Sequence, residues 1–306
     1  MVRRPNEGTG QNSEPDLPPN IFVIGLLHEL RNGGYSRRAW AAFWRASWTR
    51  SMQILQMSDE LRGSWLRFTM AGIAGITAAS VGVYAAFGLG DAIPFLLTSL
   101  IWWGVLMFDL SLHLGLMVNL ESGELLQTLG WPNRLTEIRG FAAVWVAWVA
   151  HWATAGAYLP LVGVFGLAAF TDLADGWLAR RRHRSTRWGR LYDPVIDGIF
   201  FSVAAISLAL IGVLPEWLAA LVSFRYALPI VGGLTFLVLR RRNLRVRHTP
   251  WGRASSAAIA LTVFGAAAAT FLHLPFARIA PLFYLLVGIT ALGALITILM
   301  KGIEQA

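Results

Sequence analysis

Residues 172–197 read DLADGWLARRRHRSTRWGRLYDPVID. Two carboxylates, Asp172 and Asp175, stand near the end of one long apolar run, and two more, Asp193 and Asp197, open the next. Between them lies a short connector carrying Arg180, Arg181, Arg182, His183, Arg184, Arg187 and Arg190. Spacings of three and four residues put each acidic pair on one face of a helix. So short a connector makes the two helices antiparallel neighbours, with all four carboxylates at one membrane depth. Carboxylates within apolar helices cost roughly 2.5 to 3.5 kcal/mol each on the insertion scale, so they gather where they have partners or a task.

The rest of the chain supplies the solvent for these helices. Of its 306 residues, 56% are hydrophobic and 14% charged, against roughly 25% charged in an ordinary globular protein. With mean hydropathy at +0.54, most side chains call for lipid. Stretches of about 20 apolar residues recur near 66–89, 92–117, 140–158, 160–179, 194–214, 217–239, 254–273 and 280–300. Continuous apolar runs of this kind exclude an open sheet or an alternating barrel, so the expected fold is all-α, a polytopic transmembrane helical bundle. The connector above and a second one, Arg240 to Arg253, are rich in arginine, whereas the alternate connectors hold almost no basic residues. The positive-inside rule then puts both basic loops, both chain ends and the acidic cluster on the cytoplasmic side of a multi-pass protein in the cell membrane. The net charge of +9 resides in those loops, and no nucleic-acid partner is expected. A chain with no cysteine has no disulfide framework, thiolate metal site or cysteine nucleophile.

Residues 1–63 differ in kind. Met1 to Pro19 are polar and Pro/Gly-rich, which reads as a disordered tail without the apolar core of a cleaved signal peptide. Farther on, Trp40, Trp44 and Trp48 recur every fourth residue among Arg38, Arg45 and Arg50. Such a basic, aromatic-faced helix suits an anionic membrane surface, and packing against the bundle explains it equally well.

Four converging carboxylates must take up protons or hold cations, and oxygen-only ligands favour magnesium, manganese or calcium over zinc. Gly176 and Ala179 extend the acidic face, while Gly189 stands where the chain re-enters the membrane. Small side chains admit a phosphate close to backbone, arginine supplies cationic contacts, and a carboxylate left over could deprotonate a hydroxyl. That is equipment for phosphoryl transfer at a membrane surface. Helix capping or a salt bridge would explain a single acidic pair, but less easily four acids in register. A divalent-cation transporter also uses membrane carboxylates, though acids spread across the bilayer would suit it better. A catalytically silent scaffold is the third alternative.

Asp172, Asp175, Gly176, Ala179, Arg180, Gly189, Asp193 and Asp197 fit D-x2-D-G-x2-A-R-x8-G-x3-D-x3-D in full, which resembles the signature of the CDP-alcohol phosphatidyltransferases. Upstream, Pro132, Asn133, Leu135, Thr136 and Arg139 resemble the PNxLTxxR motif that begins that family's first core helix. The resemblance spans Trp131 to Met300, six of the eight runs. It divides the chain into a cytoplasmic tail with the basic Trp-rich segment (1–63), an extra transmembrane hairpin (64–130) and a catalytic domain (131–306). It implies a six-helix catalytic core plus two additional N-terminal transmembrane helices.

By that resemblance the protein moves a phosphatidyl group from a CDP-linked lipid, usually CDP-diacylglycerol, to an alcohol and releases CMP, in phospholipid biosynthesis. Asp172, Asp175 and Asp193 would hold two divalent ions, Mg2+ or Mn2+. Asp197 would act as general base and also belong to the metal-binding set. Gly176, Ala179 and Gly189 would make room for the nucleotide, and Arg180 would contact its phosphate. A homodimer is implied as well. Asp193-Pro194 resembles phosphatidylglycerophosphate synthase-like members and their cardiolipin-forming relatives, although Gly198 stands where those often carry lysine. Glycerol 3-phosphate is the favoured acceptor, with an inositol phosphate or an amino alcohol as alternatives. Arg225 and Arg253 are candidates for an acceptor phosphate, against the plainer readings of interface snorkelling and loop topology.

Other polar residues read as structure. Asp109 and His113, four apart in the second extra helix, suit a buried pair, His151 stands alone, and the 14 tryptophans suit interfacial anchoring. The extra helices are expected to shape assembly or lipid access and to take no part in the chemistry.

Overall fold

The computed structural model describes residues 21–119, 123–154, 163, 186–240 and 249–304. These form helices α1 (Ile21–Asn32), α2 (Arg37–Met57), α3 (Asp59–Phe87), α4 (Leu89–Leu112), α5 (Trp131–Ala153), α6 (Arg187–Leu210), α7 (Glu216–Arg240), α8 (Pro250–Phe271) and α9 (Ala280–Glu304). Among the described residues five stretches, namely α3, α4, α6, α8 and Ala280–Met300 of α9, are long and apolar enough to cross a membrane. Helices α5 and α7 underlie two more of the expected runs. The run at 160–179, Gly163 apart, and the tail at 1–19 lie outside the described residues.

Local chemistry sets the boundaries of the N-terminal helices. Ser58 closes α2 by donating its N–H to the Ile54 carbonyl and opens α3 by accepting the Leu61 N–H on its hydroxyl. Asp59 and Glu60 in the first turn of α3 complement the helix dipole. One residue, Gly88 at φ +83°, then separates α3 from α4, a left-handed turn open to glycine. The two helices fold back as a hairpin that closes on Gly72, where a Cβ would lie 2.2 Å from the Trp103 ring. The Trp103 indole N–H donates to the Thr69 carbonyl across the same contact at 3.1 Å.

Helix α4 stops at Leu112, short of the run that extends to 117 in the sequence. Its Leu112 carbonyl accepts the hydroxyls of Ser47 and Ser51 from α2, at 2.7 and 3.1 Å, so a helix-end carbonyl is satisfied from outside. A short 3-10 turn, Leu114–Leu116, follows. The same contact seats the Trp-rich helix: Trp44 meets His113 edge-on and Trp48 lies 5.9 Å from Phe108. Packing against the bundle therefore holds for α2, while Arg37, Arg38, Arg45 and Arg50 remain exposed.

Two apolar clusters bind the bundle. The first joins α5 to α8 through Val146, Ala150, Phe200, Ala204, Leu218, Ile259 and Val263, and takes in Phe95 from α4. The second joins the hairpin to α6 through Leu61, Ile76, Trp103, Leu106 and Leu110 packed with Trp188 and Ile196. The extra hairpin is thus continuous with the core. Outside, Leu210, Ile101 and Leu282 are 66–82% exposed and only 17% of the α3 apolar window is buried. So broad an apolar exterior suits hydrocarbon.

Candidate active site

Helix α5 begins at a sharp corner, with Gly130 at φ +70° and Pro132 in the first turn, where a missing N–H costs nothing. One turn in, Asn133 is buried and ties three segments together. Its amide donates to the Leu129 carbonyl at 2.6 Å and lies 3.2 Å from Met117 Sδ, and its oxygen accepts the Thr186 hydroxyl at 2.8 Å. Thr186 in turn caps α6, accepting the Gly189 N–H at 3.0 Å. A Cβ on Gly189 would lie 3.2 Å from Thr186 Oγ1, 3.4 Å from Asn133 Oδ1 and 3.7 Å from Asp193 Oδ2. The sequence suggests that Gly189 makes room for a nucleotide; here its bare backbone lets the capped α6 terminus press against Asn133.

Beyond this junction α5 and α6 run side by side and exchange polar contacts in step. The Thr136 hydroxyl donates to Asp193 Oδ1 at 2.8 Å. One turn deeper, Arg139 Nη1 donates to Asp197 Oδ1 at 2.5 Å. Arg139 is 5% exposed and Asp197 31%, so the guanidinium is enclosed and the carboxylate stays partly exposed. A three-residue step on α5 matches a four-residue step on α6, keeping both acids on the face that the sequence implies.

Asp172, Asp175, Gly176, Ala179 and Arg180 lie outside the described residues. Among the described residues no three His, Cys, Asp or Glu side chains gather into a metal centre. Asp193 and Asp197 fit a hard divalent ion in donor chemistry, offering oxygens held in register by a hydroxyl and a guanidinium. The bare face of Gly189 borders the same place.

Arg225 reaches the start of α8, the turn that also carries Arg253. Buried Arg225 donates from Nε to Ser255 Oγ at 3.1 Å, and from Nη2 to the Gly252 carbonyl at 2.8 Å and Ser256 Oγ at 3.0 Å. It also lies over the Tyr226 ring, 4.3 Å from the centroid. Arg225 thereby clamps α7 to α8, and exposed Arg253 follows Gly252 directly. Tyr226 explains Gly198, because a Cβ there would stand 3.0 Å from Tyr226 Cβ. The residue after Asp197 is small so that α7 can approach.

Several contributors are only letters of a motif, or go unremarked, in the sequence. Thr136 and Arg139 hold the α6 carboxylates, and Thr186 caps that helix. Ser64, from the extra hairpin, accepts the Leu129 N–H at 3.1 Å and Arg134 Nη2 at 2.9 Å. Asp109 and His113 form the expected contact, 3.4 Å between Oδ2 and Nδ1. His151 lies 3.7 Å from Asp91, so it does have a neighbouring acid.

The fold and the α5–α6 ladder define a multi-pass helical membrane protein with paired carboxylates at a polar helix junction. The family model for CDP-alcohol phosphatidyltransferase matches residues 129–299, and the chain belongs to that family. A Salmonella typhimurium protein named CDP-diacylglycerol–glycerol-3-phosphate 3-phosphatidyltransferase is 44% identical over 52 residues, 16% of this chain and 29% of that protein. A Mycobacterium tuberculosis protein named "Probable phosphatidylglycerophosphate synthase" is 34% identical over 89 residues, 29% of this chain and 40% of that one. A Drosophila melanogaster protein named "Probable cardiolipin synthase (CMP-forming)" is 32% identical over 95 residues, 31% of this chain and 29% of that one. The matched stretches thus span less than half of each relative's length. No solved structure matches the chain.

Proposed function

We propose that this protein transfers the phosphatidyl group of a CDP-linked lipid to an alcohol and releases CMP, with glycerol 3-phosphate as the acceptor. The observation that carries the proposal is the α5–α6 ladder, which fixes Asp193 and Asp197 on one face inside a segment matched to the family. The printed names of the Salmonella and Mycobacterium relatives favour the acceptor.

In this reading Asp172, Asp175, Asp193 and Asp197 hold two divalent ions, Mg2+ or Mn2+. Bound there, such ions neutralise the phosphate charge that develops as the group transfers. Thr136 and Arg139 keep the α6 carboxylates aimed. Gly176 and Ala179 leave space for the nucleotide and Arg180 contacts its phosphate, while Gly189 lets α6 close against Asn133. Asp197, partly exposed at 31%, accepts the proton of the acceptor hydroxyl. That oxygen bonds to the phosphatidyl phosphorus as the bond from phosphorus to the CMP oxygen breaks, so CMP departs carrying the electron pair. Arg225, Arg253 and the α8 N-terminus capped by Thr249 form a cationic corner suited to the acceptor's phosphate.

The proposal extends to the remaining architecture: a catalytic domain over 131–306, an extra hairpin over 64–130, a site facing the cytoplasm of the cell membrane, and a homodimer. Exposed Arg37, Arg38, Arg45 and Arg50 of α2 face anionic lipid. The test is CMP release from CDP-diacylglycerol by purified protein across glycerol 3-phosphate, inositol phosphate and serine. Stimulation by glycerol 3-phosphate is expected, and stimulation by another acceptor alone would reassign the substrate. Chelator-insensitive release would overturn the ion site. Cation flux in liposomes without CMP release would favour a transporter.

A further inference from the structure

Where the extra hairpin meets α5, two arginines converge that the proposed chemistry leaves unused. In α3, Arg67 folds back over Gly63, where a Cβ would stand 3.2 Å from its Nη1. The next residue, buried Ser64, accepts a hydrogen bond from Arg134 Nη2 at 2.9 Å. The Arg134 guanidinium lies over two rings, 5.4 Å from the Trp131 centroid and 5.8 Å from that of Phe68. Two guanidiniums thus reach consecutive residues of one helical turn.

These arginines lack an anion. Ser64 takes one of the five donor hydrogens of Arg134, and its Nε is buried without an acceptor. Among the described residues no ion pair joins Arg67 or Arg134 to an acid, and nearby Asp59 pairs with Arg62. Like charges held together repel unless an anion lies between them. The place also fits a lipid. Ser64 accepts the Leu129 N–H just before α5, and Asn133 accepts the Thr186 hydroxyl just before α6, so α3, α5 and α6 start at one end of the bundle and the arginines share the ladder's side of the membrane. About 20 apolar residues fill the hydrocarbon, which puts Arg67, at the edge of the run from 66 to 89, at headgroup depth with exposed Trp131. Gly63, Leu66, Arg67 and Met70 share one helix face, and Leu66 and Met70 are exposed. Apolar surface therefore leads from the cations towards the hydrocarbon, which a lipid uses and a soluble anion does not.

We propose that Arg67 and Arg134 bind the phosphate of an anionic phospholipid, with its acyl chains along Leu66 and Met70. Guanidinium groups suit this ligand because their fork of donors matches phosphate oxygens. Arg134 lies inside the family-matched 129–299 and Arg67 outside it, so the lipid phosphate bridges the extra hairpin and the family-matched helices. The site is distinct from the acidic ladder and does not depend on the transfer reaction.

The experiment is binding of phosphatidylglycerol and phosphatidylcholine to the detergent-purified full chain, read by native mass spectrometry, with the thermal midpoint recorded alongside. Wild type is expected to prefer phosphatidylglycerol and to gain midpoint with it. Arg67→Ala and Arg134→Ala should each weaken phosphatidylglycerol about tenfold, in line with loss of a hydrogen bond between charged groups, and Arg67→Lys should retain part of the affinity. Arg67 is exposed and makes no hydrogen bond among the described residues, so Arg67→Ala should keep the wild-type midpoint in lipid-free detergent and keeps the test decisive should Arg134→Ala fold poorly. Asp197→Asn should bind phosphatidylglycerol as wild type does, which separates this site from the ladder. Equal binding of the two lipids, or a preference unchanged in Arg67→Ala, would overturn the site. A midpoint raised as much by inorganic phosphate as by phosphatidylglycerol, and lost in Arg67→Ala, would overturn the lipid assignment in favour of a soluble phosphate.

Discussion

Arg139 is the side chain that holds Asp197. It is enclosed, it donates to Asp197 at 2.5 Å, and its planar fork is not reproduced by lysine. Arg139→Ala is expected to lower the rate of CMP release about 100-fold, the scale of a lost charged hydrogen bond at a reacting group. Arg139→Lys should recover part of it, and an Arg139→Ala variant within twofold of wild type would speak against the ladder. In the sequence Arg139 and Thr136 are only motif letters, because their partners lie 58 and 57 residues away and only packing brings them together. Gly189 is legible as a required small residue, but its local cause is not: the atoms its Cβ would meet belong to Thr186 and Asn133. Gly189→Ala should therefore destabilise the fold by about 1 to 3 kcal/mol through overpacking, read as a lower thermal midpoint in detergent.

At the scale of elements, hydropathy marks the hydrocarbon-immersed part of each helix and little else. The apolar run read from 140 belongs to a helix that begins at Trp131, since Asn133, Thr136, Glu137 and Arg139 form a polar first section of α5. Likewise α6 begins at Arg187, not at 194, because Thr186 caps a polar first turn. The proposed chemistry sits in these polar ends, so apolar length locates the helices while motifs locate the candidate site. Thr186→Ala removes both the cap of α6 and the donor to Asn133, and should cost about 1 kcal/mol or more. A midpoint unchanged in that variant would show that the junction is not held by the cap. In the hairpin, Gly72→Leu should separate α3 from α4, since the Trp103 ring occupies the space a side chain needs, and thermal unfolding should fall well below that of wild type.

At the scale of the whole molecule, the apolar exterior and the two joined clusters describe one bundle in which the N-terminal hairpin and the family-matched helices share a core. Composition announces the membrane, and eight apolar runs announce the bundle, but continuity between hairpin and core cannot be read from apolar length. It arises from Trp103, Leu106 and Leu110 meeting Trp188 and Ile196. In the proposed reaction, carboxylates on α6 act with Asp172 and Asp175 in a metal-dependent phosphatidyl transfer. The most direct measurement is CMP release from CDP-diacylglycerol, with Mg2+ and glycerol 3-phosphate, by wild type and by Asp197→Asn. Acceptor-stimulated release that a chelator abolishes is expected, falling at least about 1,000-fold in Asp197→Asn, as when a general base and charged ligand is lost. Equal release by the two proteins would contradict it.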